Sequence, residues 1–102
     1  MFNIASLNRL TNALAYLVQE APGLGLRPAV VLLATAQQPG ITVRELAKRM
    51  DETSSTILKN ANELCRAFDF VRLENESKGQ NAQVVMTEKG EQLVLQIIER
   101  CQ

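Results

Sequence analysis

The sequence predicts a small, mainly helical α+β domain: four helices, a two-stranded β-hairpin and a C-terminal helix. Three observations predict it. The stretch "ITVRELAKRMDETSSTILKNANELCRAF" at 41–68 carries helical apolar spacing on both sides of a three-residue turn. The apolar period then shortens in "FVRLEN" (70–75) and "AQVVMT" (82–87), with the polar, glycine-bearing "ESKGQN" between them, which reads as a hairpin. No repeat, linker or low-complexity stretch divides the 102 residues, so one unit around one core is expected.

Residues 3–20 read as the first helix, capped by Asn3. Leu7, Leu10, Leu14 and Leu17 make a narrow stripe that Ile4 and Val18 extend. "APGLGLRP" (21–28) breaks the chain, and its glycines are loop glycines rather than a phosphate cradle. A second helix is expected from Pro28 to Gln38. Its run Val30, Val31, Leu32, Leu33 points to all sides, which predicts a central, covered helix.

A third helix starts at Thr42, whose T-x-x-E spacing to Glu45 is that of a capping box. Val43, Leu46, Ala47 and Met50 form its inner face, with Arg44, Lys48 and Arg49 off that face. Asp51-Glu52-Thr53 is the turn, Asp51 suiting a left-handed conformation, and Thr53 or Ser54 caps the fourth helix. Ile57, Ala61, Leu64 and Phe68 point in; Ser55, Lys59, Asn62 and Arg66 point out, with Leu58 and Asn60 on the flanks. Thr87 caps a final helix striped by Leu93, Val94, Ile97 and Ile98.

Composition excludes several classes. Without any histidine, the common zinc-finger spacings and histidine triads drop out. Cys65 and Cys101 form no C-x-x-C unit, and Cys65, beside Leu64, reads as a packed small hydrophobe. No nucleophile elbow or Walker motif is present, so no enzyme and no cofactor is expected. The N-terminus lacks the pattern of a signal peptide and "AVVLLATA" (29–36) is too short to span a bilayer, so a cytoplasmic protein without a membrane partner is expected.

Helix, tight turn, helix, then hairpin is the order of a winged helix-turn-helix. That order suits double-stranded DNA because the major groove admits one helix while the preceding helix braces it against the backbone. The reading helix is then 54–68. Ser54, Ser55, Lys59 and Asn62 are the candidates for base edges or nearby phosphates, and Arg44, Lys48 and Arg66 for the backbone, with Lys78 at the wing tip. Helix N-termini near Thr42 and Thr53 also offer amides to phosphates.

Net charge argues for a second copy. Eleven basic residues balance eleven acidic ones, and residues 42–68 hold five basic against four acidic side chains. A monomer with so few phosphate contacts would bind weakly, whereas a two-fold dimer doubles them and reads two half-sites. The dimer is expected to form through 1–25 and 88–102, by Leu7, Leu10, Leu14, Leu17, Leu93, Val94, Ile97 and Ile98. Residues 26–68 would be the helical core and 69–87 the wing. The alternative is a winged helix that binds a protein instead of DNA.

"PGITVRELAKRMDETSSTILKNANEL…FVRLENESKGQNAQVVMTEKGEQLV" resembles the multiple-antibiotic-resistance regulator (MarR) family. There "P-G-x-T-x-x-E-L-A" precedes a Ser/Thr-rich recognition helix, followed by "G-L-V-x-R", a wing and "L-T-x-x-G". The resemblance runs from residue 26 to about 95. It implies a dimeric transcription regulator, here a homodimeric repressor on an inverted repeat, with a protein or small-molecule effector unspecified. Asp69 and Phe70 replace the family's glycine and leucine, Ser77–Asn81 replace its wing motif, and Glu74 and Glu76 flank the tip.

Overall fold

Capping sets most helix boundaries. In the computed structural model, which describes residues 1–102, the Asn3 side chain accepts from the Ser6 amide at 3.1 Å and opens α1, Ile4–Glu20. Thr42 and Glu45 close the capping box of α3, Val43–Met50; Thr53 caps α4, Ser54–Arg66; Thr87 caps α5, Glu88–Arg100. Helix α2 spans Leu26–Gln37, beginning two residues before the predicted Pro28. The proline sits in the first turn, where backbone amides have no intrahelical acceptor and a missing N–H costs nothing.

Helix α2 is the centre of the core on one side only. Val31 and Leu32 are fully buried, but Val30 is 49% exposed, so four consecutive apolar residues are not all covered. Around α2 the fully buried Ile41, Leu46, Ile57, Leu64, Val71 and Val84 bring together α3, α4 and the hairpin. At about 25 cal/mol per Å² of apolar surface, each such side chain contributes about 1.5–3 kcal/mol before the cost of ordering the chain.

The hairpin pairs β1, Val71–Glu74, with β2, Gln83–Met86, in the register Val71↔Met86 to Glu74↔Gln83. Its tip curls into a 3-10 turn over Glu76–Asn81, kinked at Gly79. The base of the wing is joined to the start of α3: Val43 N–H donates to Ala82 O at 2.9 Å and Val84 N–H to Ile41 O at 3.0 Å. Gln83 adds a side-chain tie, accepting from Asn75 Nδ2 and donating to Gly40 O, both at 3.2 Å.

Helix α1 lies along α5. Ala13 and Leu17 are buried there, as are Leu93 and Ile97, and the Arg100 guanidinium sits 3.9 Å from the Tyr16 ring centroid. Three of the eight residues expected at a dimer interface, Leu17, Leu93 and Ile97, are therefore taken up by the chain's own core. A helix lying beside another must bury one stripe in it, and only the opposite stripe stays free.

Candidate nucleic-acid interface

Helix α4 is held from one side. Ile57, Ala61 and Leu64 are fully buried at helical spacing, which forces Ser55, Lys59 and Arg66 outward, where all three are exposed. Ser54 and Asn62 are half-buried at the margins of the same face. Arg44 and Lys48 are exposed on α3, across the turn, and Lys78 is exposed on the wing tip, away from the α4 group in sequence and element.

Asn60 departs from its expected flank position. It is 9% exposed, and its Nδ2 has no hydrogen-bond partner in the chain. Its angular position on the helix lies closer to Leu64 than to Lys59, so it turns inward with the apolar face. At about 100° per residue, sequence spacing places it about 40° from Leu64 but about 100° from Ala61, at the boundary of that face.

The two helix N-termini turn out to be different. At α3 the Glu45 carboxylate accepts from both the Thr42 amide and hydroxyl at 3.0 Å and from Gln38 Nε2 at 3.0 Å. The Thr42 backbone bond, ahead of the Thr42 hydroxyl and Gln38, holds the Glu45 carboxyl below the usual carboxylate range. A negative charge thus already occupies this terminus, which corrects the expectation of free amides near Thr42. Helix α4 has no acidic residue in its first turn, and its cap is the neutral Thr53 side chain, which accepts from the Thr56 amide at 3.1 Å.

Net charge zero does not mean a neutral surface. Glu45 is held by the cap, and Glu52 is paired with Arg27 at 3.1 Å. Arg49 Nη2 donates to Gln37 at 2.6 Å. Arg44, Lys48, Lys59 and Arg66 belong to no ion pair, and neither do the exposed Asp51 and Glu63, so the α3–α4 side keeps four uncommitted cations against two uncommitted carboxylates. The wing differs: Arg72 pairs with Glu74 at 3.2 Å, and Lys78 stands beside exposed Glu76.

A second surface feature is apolar. Ile4, Leu7, Leu10, Leu14 and Val18 on α1 are 65, 42, 53, 43 and 71% exposed, and α5 adds Ile98 at 47%. Val94 is half-buried between this set and the core. An amphipathic helix with both a buried and an exposed apolar stripe has more apolar surface than one chain covers.

Two helices in a tight turn followed by a β-hairpin define a winged helix-turn-helix protein. The chain resembles the MarR family within that class. Over 91% of its length it matches a MarR-family transcriptional regulator from Rhodococcus sp. RHA1 at 26% identity with a TM-score of 0.68, covering 65% of that chain. A multiple antibiotic-resistance repressor from Listeria monocytogenes matches at 25% identity over 93% of the chain and 64% of its own, TM-score 0.69. A MarR family protein from Bacillus stearothermophilus matches in fold at 19% identity over 96% of the chain and 66% of its own, TM-score 0.71. The chain thus spans about two thirds of the length of the solved structures it matches. No protein-family model matches the sequence, and no curated protein is significantly similar to it.

Proposed function

We propose that the chain is a sequence-specific double-stranded DNA-binding transcription regulator, acting as a homodimeric repressor on an inverted repeat through the helix at 54–68. The observation that carries the reading is α4 itself. Its inner face is locked into the core, and its outer face offers Ser55, Lys59 and Arg66 after a first turn without an acidic residue. The similar folds of the Rhodococcus transcriptional regulator and the Listeria antibiotic-resistance repressor support it.

Ser54, Ser55, Lys59 and Asn62 would meet base edges or adjacent phosphates, Arg44, Lys48 and Arg66 the backbone, and Lys78 a phosphate at the wing. Residues 1–25 and 88–102 would form the dimer through Leu7, Leu10, Leu14 and Ile98, with Val94 at the margin. Residues 26–68 carry the helix-turn-helix and 69–87 the wing. A dimer in the cytoplasm fits this reading, and no helix is long and apolar enough to cross a membrane. The second reading, a winged helix that docks a protein, is favoured by the acidic wing flanks Glu74 and Glu76.

Selection of bound duplexes from a random DNA library at moderate salt separates the two, with Lys59→Glu as the control. Enrichment of an inverted repeat by the unaltered chain alone is the expected result. Enrichment of nothing at low or moderate salt would sink the DNA reading in favour of a protein partner.

A further inference from the structure

One side chain ties the entry of the wing tip to the turn between α2 and α3. Gln83 opens β2, pairs with Glu74 across the hairpin and bridges to Thr42 on its other edge. Its amide reaches both ways: Oε1 accepts from Asn75 Nδ2 and Nε2 donates to Gly40 O, each at 3.2 Å. Both partners hold left-handed backbone, Asn75 at φ 59° and Gly40 at φ 83°. Asparagine tolerates that conformation better than most residues, and glycine adopts it freely. A Cβ on Gly40 would stand 3.5 Å from Gln83 Nε2, so the amide lies directly against the turn.

The two corners of the tip are held differently. At the exit, the backbone itself is anchored, since Val43 N–H donates to Ala82 O. The entry corner at Asn75 has no hydrogen bond to the helical core except through Gln83. Between the corners, no residue of Glu76–Asn81 is buried, and none of their side chains is in a hydrogen bond or ion pair. Charge makes the tie matter. Arg72 is paired with Glu74, and Glu76 offsets Lys78, so the hairpin has no net charge to draw it to a phosphate. Lys78 is its one unpaired cation. A lone ammonium on a flexible stem is a point contact, and ordering a loose tip on binding would consume much of what that contact gains. The contact therefore depends on a tip already held in place.

We infer that Gln83 is a positioning residue for the wing: through Asn75 and Gly40 it holds Lys78 where it meets one backbone phosphate of bound DNA. This rests on the DNA reading proposed above and adds to it a residue that touches no DNA. Gln83 is neutral, half-buried and separate from every proposed contact residue, so its effect on binding can pass only through the tip it holds.

The test is a set of anisotropy titrations of the full chain against its selected duplex at several salt concentrations. Gln83→Met is the variant, because methionine keeps the length of the side chain, removes both hydrogen bonds and changes no charge. Affinity should fall about fivefold, and the salt dependence should drop by about one counterion, as for Lys78→Ala. The double variant should bind no worse than Lys78→Ala alone, since both changes remove one contact. A role for Gln83 in stability alone would leave the counterion number where it was. In the free chain, ¹⁵N relaxation of Gln83→Met should show added motion confined to residues 76–81, with the rest of the spectrum dispersed and folded. An undiminished salt slope, losses that add in the double variant, or a tip as rigid as in the unaltered chain would each overturn the inference. If the unaltered chain selects no duplex, the DNA reading fails and takes the inference with it. Selective binding with an unmoved slope in Gln83→Met sinks the inference alone.

Discussion

Gly90 in the first turn of α5 lies against the backbone of Phe70, so closely that a Cβ at Gly90 would overlap the Phe70 carbonyl oxygen. That same carbonyl accepts from the Thr87 amide at 3.0 Å, and the Thr87 hydroxyl donates to Asp69 O at 2.6 Å. The start of α5 is therefore docked on the segment that joins α4 to β1. A glycine inside a helix ordinarily costs stability, about 0.5–1 kcal/mol relative to alanine. Here the close approach requires it. Gly90→Ala should destabilise the domain by about 1–3 kcal/mol, the range for overpacking a tight site. Urea denaturation checks the sign, and a more stable variant would show that α5 can lift off without loss.

Asp69 sits at φ 58°, a left-handed position where the resembled family carries glycine. A side chain there costs about 1 kcal/mol or more, less for aspartate than for most residues. Asp69→Gly should therefore be neutral or stabilising by up to about 1 kcal/mol, and Asp69→Val clearly destabilising, in the same denaturation experiment. Equal stability of all three would remove the backbone argument.

Stability should fall on the acid side through Glu45. Its carboxyl is held below the usual range by the Thr42 amide, so the folded state prefers the ionised form. The contribution of the capping box is then complete above the unfolded carboxylate pKa and is lost as pH falls through the lowered folded value. Glu45→Gln should flatten that part of the stability profile, and Thr42→Ala should cost about 1 kcal/mol at neutral pH. An unchanged acid limb in Glu45→Gln would place the acid sensitivity elsewhere.

On the proposed reading, Lys59→Ala should weaken DNA binding by about 1–3 kcal/mol and relax preference at one base position if the side chain meets a base edge. Lys48→Ala should weaken all sequences alike and lower the salt dependence by about one counterion. Anisotropy titrations at several salt concentrations distinguish the two. Identical affinity for Lys59→Ala would take that residue out of the interface.

The exposed stripe of α1 yields a separate test. Leu14→Glu places a charge at the middle of Leu7, Leu10, Leu14 and Val18 without entering the chain's own core, since Leu14 is 43% exposed. It should convert a dimer to a folded monomer in light scattering and weaken DNA binding steeply. A variant that remains dimeric would move the interface off α1.

Element type was legible because it depends on near neighbours. The capping pairs Asn3–Ser6, Thr42–Glu45 and Thr53–Thr56 are all three residues apart; the first two caps appear where the sequence predicts them, and Thr53 rather than Ser54 takes the third. The outward set Ser55, Lys59 and Arg66 was legible for the same reason. The Gln83 tie to Gly40 spans 43 residues and left no local trace in the sequence. The need for glycine at position 90 depends on Phe70, twenty residues away, and was visible only through the resembled "L-T-x-x-G".

The sequence by itself determined the order of elements, their caps and which residues share a helix face. A 3.6-residue turn and a two-residue pleat are properties of a few consecutive bonds. Tertiary structure decided which apolar stripe is core and which is surface, placing Leu17, Leu93 and Ile97 inside and leaving Leu7, Leu10, Leu14 and Ile98 out. It also drew Asn60 inward. These outcomes depend on which helix packs against which, and that is settled by contacts between residues far apart in the chain, which no local period encodes.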